Sequence, residues 1–175
     1  MIVGIAGDVR SASAVDLDTA SSFAVLAGAA VSDSGTNSSV ITGHVGLSPT
    51  GGTGITVLSC SQVSGTIYDT NAGYTGGFDS DTTCLQTSAG ILTAAKADVS
   101  LAYNDAETQP QDFAVTASTT DSFAAFPGYV LTPGVYNSGS TMGVPVALTL
   151  DGGGDSNATF IFQAGSTLST VAGSM

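Results

Sequence analysis

Basic side chains are almost missing: Arg10 and Lys96 stand against 14 acidic residues in a chain of 175, a formal net charge of −12. Such a chain has no cationic surface with which to neutralise phosphates, which excludes nucleic acid and anionic membrane as partners. Acidic polysaccharides are excluded on the same ground. Tryptophan is absent, and one histidine with two distant cysteines cannot supply a zinc site, which needs three or four ligands at close spacing. No apolar run reaches the length of a membrane span, since the longest, Phe23 to Val31, is interrupted by Gly28 and small alanines. The apolar opening, Met1 to Gly7, lacks a basic leading region and a full apolar stretch. It is therefore not an intact signal peptide, and the chain is read as already processed.

Small residues are abundant instead. Serine, threonine and glycine occur 23 times each, so small hydroxyls occupy about a quarter of the chain. That composition predicts short strands and tight turns, and the 42% of apolar residues is enough for one domain with a sizeable core. Two cysteines, Cys60 and Cys84, with few lysines fit a secreted protein carrying one disulfide. A bridge closing a loop of that length stabilises by about 3 to 4 kcal/mol in the chain-entropy model.

Three segments share one pattern of small, β-branched, polar and Gly residues: Ser39-Val40-Ile41-Thr42-Gly43-His44-Val45, Gln62-Val63-Ser64-Gly65-Thr66-Ile67 and, more loosely, Ser169-Thr170-Val171-Ala172-Gly173. Their spacing is uneven, which predicts stacked coils of unequal length rather than a solenoid of fixed period. Phe23–Ala27, Val146–Leu150 and Thr159–Phe162 are apolar on both faces and must be covered on both. The cover is a helix over 88–107, whose apolar residues Ile91, Leu92, Ala95, Val99, Ala102, Tyr103 and Ala106 form a stripe. Thr87 or Ser88 supplies its N-cap. Between the strands and the helix, residues 69–86 read as a cap loop bracketed by the cysteines.

Catalytic constellations are weak. His44 lies in a repeat strand and is expected as a single exposed surface histidine, and no G-x-S-x-G elbow occurs. Asp33, Asp69, Asp79, Asp81, Asp151 and Asp155 all sit in turn-like contexts, where the carboxylate caps its own backbone. Turn formation also accounts for the oxygen-rich Asp79–Asp81 and Asp151–Asn157 stretches as well as calcium does. No catalytic residue, metal or cofactor is assigned. The conspicuous feature is a surface: side chains on neighbouring coils lie about 4.8 Å apart, and positions i and i+2 on a strand about 6.7 Å apart. A plane of short, χ1-stiff hydroxyl and methyl groups at those spacings constrains the first layer of water.

The blocks Val15–Gly28, Val40–Pro49, Val63–Ile67, Ala102–Asp105, Leu131–Tyr136, Leu148–Asp151 and Asn157–Gln163 occur in an order that resembles the microbial ice-binding (antifreeze) protein family. The resemblance implies a mainly β protein: an irregular right-handed β-helix, a triangular solenoid, with one long α-helix packed alongside. It implies a secreted, non-enzymatic protein that adsorbs to ice through a flat face, with T-A/G-x-T/N-like segments contributing. Ser34-Gly35-Thr36-Asn37 and Ala164-Gly165-Ser166-Thr167 resemble that pattern, though both begin without the threonine. The expected ice-facing residues are Thr36, Asn37, Ser39, Thr42, Ser64, Thr66 and Thr167. Residues 1–14 are expected as an apolar N-terminal segment and 15–175 as one domain, shortened at its C-terminal end relative to the family. The partner is an ice crystal surface. The alternative is an extracellular structural subunit that self-associates into a filament or surface layer by strand donation at an open β-helix edge.

Overall fold

The computed structural model describes residues 12–33, 38–145 and 147–173. Thr36, Asn37 and the opening apolar segment up to residue 11 lie outside them. The chain divides into two compact units, one spanning Asp16–Tyr103 and the other comprising the residues before Asp16 together with those from Asn104 onward.

In the first unit, strands fall in turn on three sheets. The first coil is β1 (Phe23–Ala27), β2 (Val31–Ser32) and β3 (Ile41–Thr42), and the second is β4 (His44–Leu47), β5 (Ile55–Thr56) and β6 (Val63–Ser64). A third begins with β7 (Ile67–Asp69), and β8 (Leu85–Thr87) adds a further strand on its outer edge. Every pairing is parallel: β1-β4-β7-β8 on one side, β2-β5 on the second and β3-β6 on the third. This is the coil-upon-coil architecture expected from unevenly spaced repeats. The repeat itself is a corner rather than one strand. Gly43 adopts φ +124° between β3 and β4, and a Cβ built on Gly65 would lie 2.3 Å from the Gly43 carbonyl oxygen. Only glycines allow successive corners to stack so closely.

Inward-facing Val45, Leu47, Ile55, Leu58, Val63 and Ile67 form the core of this unit, with Tyr74 filling its end. Each aliphatic side chain contributes about 1.5–3 kcal/mol by leaving water. Residues 70–84 carry no strand or helix, and the Cys60–Cys84 disulfide closes that stretch, as the cysteine count predicted. The helix α1 (Ala89–Thr108) starts one residue beyond the expected boundary. It buries Leu92, Ala95 and Ala102, with Leu92 crowding over Gly46 beside Phe23 and Leu26. Ile91, Val99 and Tyr103, expected in the same stripe, are exposed. The stripe is narrower because alanines let the helix lie close along a single line of contact. Lys96 Nζ donates to the Ser48 carbonyl at 2.9 Å, and Asp98 accepts from the Thr19 hydroxyl and amide, so two polar latches hold the helix.

The second unit repeats the plan with β9 (Phe113–Ala114), β10 (Val130–Leu131), β11 (Gly134–Ser138), β12 (Met142–Val144), β13 (Thr149–Leu150), β14 (Phe160–Ala164) and β15 (Leu168–Thr170). Its parallel sheets are β14-β11-β9, β10-β13 and β12-β15. Phe113, Tyr136 and Phe162 are in register on three strands and stack at 4.8 and 5.6 Å, making an aromatic ladder through the core. Gln163 at the end of β14 donates through Nε2 to the carbonyls of Ala106, Glu107 and Gln109 at the helix C-terminus. One strand expectation holds only in part: of the described residues 147–150 only Thr149 and Leu150 are strand, and both are exposed. β13 pairs with β10 on one edge, and no strand among the described residues pairs with its other edge.

Candidate functional site

Two outward-facing pairs define the polar faces of the first unit. In β3 and β6, Ile41 pairs with Val63 and Thr42 with Ser64. Ile41 and Val63 pack against the core, so Thr42 and Ser64 point away from it, and both are exposed. In-register parallel partners place these side chains about 4.8 Å apart. On β2 and β5 the same logic buries Ile55 and exposes Ser32 opposite Thr56. No charged residue occurs between Asp18 and Asp33 or between Asp33 and Asp69, so every strand of both faces is free of ionic side chains.

Of the expected residues, the structure brings Thr42 and Ser64 together and sets Ser39, also exposed, just before β3. Thr66 lies around the Gly65 corner and is half-buried; its amide donates to His44 Nδ1 at 3.0 Å, and its carbonyl accepts from the Val45 amide. Thr167 is exposed in the second unit, next to β15, where its carbonyl accepts from the Met142 amide at 2.8 Å.

His44 is not the surface histidine expected. It is half-buried between the rings of Phe23 and Tyr68, at centroid distances of 5.7 and 5.3 Å. The bond it accepts at Nδ1 puts the proton of the neutral ring on Nε2. Asp69 caps its turn, Oδ1 accepting from the Ala72 amide, but is also fully buried: Oδ1 accepts from the Thr87 hydroxyl as well, and Oδ2 has no hydrogen-bond partner among the described residues. Asp33 accepts from the buried side-chain amide of Gln62. The others cap turns as expected: Asp79, Asp81, Asp151 and Asp155 each accept from the amide two residues on. That amide and the Ser61 hydroxyl hold the Asp79 carboxyl below the usual carboxylate range.

Matches to the T-A/G-x-T/N pattern went unread. Thr53-Gly54-Ile55-Thr56 and Thr116-Ala117-Ser118-Thr119 fit it at every position, and the outer threonines of both are exposed. The four-residue spacing was the available signal, obscured because neither stretch lies in the Gly-cornered repeats.

A family model described as Ice-binding-like matches residues 25–175. The chain belongs to this family. It is 34% identical over 156 residues to an ice-binding protein of Flavobacterium frigoris (strain PS1), covering 88% of this chain and 50% of the relative. To ice-binding protein K1-A of Typhula ishikariensis it is 36% identical over 160 residues, covering 91% of this chain and 62% of the relative. The chain thus spans between half and three-fifths of these curated relatives. Among solved structures, an ice binding protein from an Antarctic biological consortium superposes with a TM-score of 0.60 at 30% identity, over 98% of this chain and 64% of the other. An ice-binding protein from Arctic yeast, solved to explain its antifreeze activity, gives 0.60 at 28% identity, over 95% of this chain and 70% of the other. The β-helix with a long flanking α-helix is therefore the family's fold. No helix among the described residues is long and apolar enough to cross a membrane.

Proposed function

We propose that this protein binds ice through the outward side of β3 and β6, slowing crystal growth and recrystallisation. The observation that carries the reading is the Thr42–Ser64 pair: two short side chains, in register, exposed, on a backbone ladder that fixes their spacing. Threonine at χ1 has few choices, so its methyl and hydroxyl hold their positions without ordering cost when water freezes against them. Long charged side chains, which would disrupt that layer by their strong hydration, are missing from the whole stretch between Asp33 and Asp69. Ser39 and Thr66 flank the pair, Thr36 and Asn37 complete the proposed set, and Thr167 is proposed separately as a contact within the second unit. The reading is of a binding protein that acts outside the cell, where ice forms and where a disulfide persists. Self-association through an open strand edge is a separate proposal, and a monomer in sedimentation equilibrium removes it.

The test is ice-recrystallisation inhibition by monodisperse protein and by two single variants, Ser64→Tyr and Thr56→Tyr. Both positions are exposed, so circular dichroism should match the parent. Loss in Ser64→Tyr with activity kept in Thr56→Tyr supports the β3–β6 face. The reverse moves the contact to the β2–β5 face, which carries the Thr53–Thr56 stretch. Inactivity of the parent protein overturns ice binding altogether.

A further inference from the structure

Beside β5 the coils come apart. Between Thr53–Val57 and the segment 73–78 lies an open slot of about 380 Å³, lined by Thr53, Ile55, Thr56, Val57, Thr75 and Phe78 with the glycines at 73 and 77. Both of its ends are pinned. At one, the backbone of Gly77 lies against the Leu58 carbonyl so closely that a Cβ would fall 2.2 Å from the oxygen, and the Phe78 amide donates to Ser59 Oγ at 2.9 Å. At the other, a Cβ on Gly73 would meet the Thr53 amide nitrogen at 2.9 Å. In between, the side chain of Tyr74 dives into the core, donating to the Leu58 carbonyl, and leaves the space above β5 unfilled.

The lining has a definite chemistry. Three threonines supply hydroxyls, each a donor and an acceptor, while Phe78 at 54% exposure and Val57 at 37% supply an apolar wall. None of the lining side chains is ionic, and Asp79 and Asp81, which follow Phe78, repel anions. Val57 sustains this wall in the left-handed region at φ +68°, where a β-branched residue is strained.

We propose that the slot is a binding site for a neutral sugar ring, which stacks its apolar face on Phe78 and shares hydroxyl hydrogen bonds with Thr53, Thr56 and Thr75. A purely apolar ligand leaves the three hydroxyls unmatched, at a cost in affinity. A ring with one apolar face and a rim of hydroxyls satisfies both walls. For a single pyranose the contact is weak, a Kd of about 1 mM from the affinity that ligands of this size reach per atom.

The experiment is saturation-transfer NMR with methyl α-D-glucopyranoside and with maltose on the whole chain, repeated on Phe78→Ala and Thr75→Val. Transfer from the protein to the sugar ring protons is expected, with affinity reduced at least about fivefold in Phe78→Ala. Absence of transfer at sugar concentrations of about 10 mM, or transfer unaltered in both variants, overturns the proposal. Because Phe78 is exposed, its truncation should leave the melting temperature in place. Recrystallisation inhibition, measured on the same variant, should also be unchanged, which separates failure of the sugar site from failure of the ice reading.

Discussion

The bond set of Gln163 yields a prediction that can be worked through. Its Nε2 carries two hydrogens, and they serve three carbonyls, those of Ala106 at 2.9 Å, Glu107 at 3.1 Å and Gln109 at 2.9 Å. These include the last carbonyls of α1, which a helix leaves without internal partners. Its Oε1 accepts from Asn137 Nδ2 at 2.9 Å across the β11–β14 ladder. Gln163→Met keeps the volume and removes both functions. Water reaches part of this helix end, so the penalty lies in the lower part of the range for a fully buried orphan, at about 1–2 kcal/mol. For a chain of this size each kcal/mol moves the melting temperature by about 2–4 °C, giving an expected fall of about 2–8 °C in thermal unfolding followed by circular dichroism. Gln163→Glu sharpens the test. A carboxylate facing three carbonyl oxygens is repelled, so its folded-state pKa rises above the unfolded value. The destabilisation is then fully present above the folded pKa and is relieved as pH falls towards about 4.3, where the proton stays on in both states. A Met variant within about 1 °C of the parent, or a Glu variant indifferent to pH, refutes the assignment of Gln163 as the tie between β14 and the helix end.

Replacing both Cys60 and Cys84 by alanine should cost about 3–4 kcal/mol, read as a lower midpoint in guanidinium unfolding with an unchanged strand signature. Burial, aided by Asp79 and Asp81, pushes the Tyr74 phenol up to about 12. The unfolded chain loses that proton first, so stability should hold to about pH 10 and then fall as pH rises towards 12, with Tyr74→Phe showing a shallower fall in equilibrium unfolding. Val57→Asn, which tolerates φ +68°, should raise the unfolding free energy by about 1 kcal/mol. A loss at that position would mean its Cβ branch packs more than it strains.

Much of the architecture was legible because it rests on local chemistry. The repeat of β-branched residue, polar residue and glycine marks stacked corners, since only glycine permits Gly65 to sit against the Gly43 carbonyl. The helix was readable from its periodicity and the disulfide from the cysteine count. What failed depends on neighbours distant in sequence. Ile91, Val99 and Tyr103 have the right hydrophobicity for the buried stripe, yet the helix presents Leu92, Ala95 and Ala102 instead, because side-chain size decides which line approaches Gly46. His44 looks like any surface polar residue in a strand until Phe23 and Tyr68, a coil away on either side, close over it.

The sequence by itself determined the class: short parallel rungs, glycine corners, one disulfide and one amphipathic helix, all set by steric and solvation rules that act within a few residues. It also determined that the surface between Asp33 and Asp69 is uncharged, since composition needs no fold to be read. Only the tertiary structure decided the direction of each side chain, because a strand of two residues has no periodicity to reveal which of Ile41 and Thr42 faces the core. Register between coils sets that direction, and with it the pairing of Thr42 with Ser64 and the burial of Asp69.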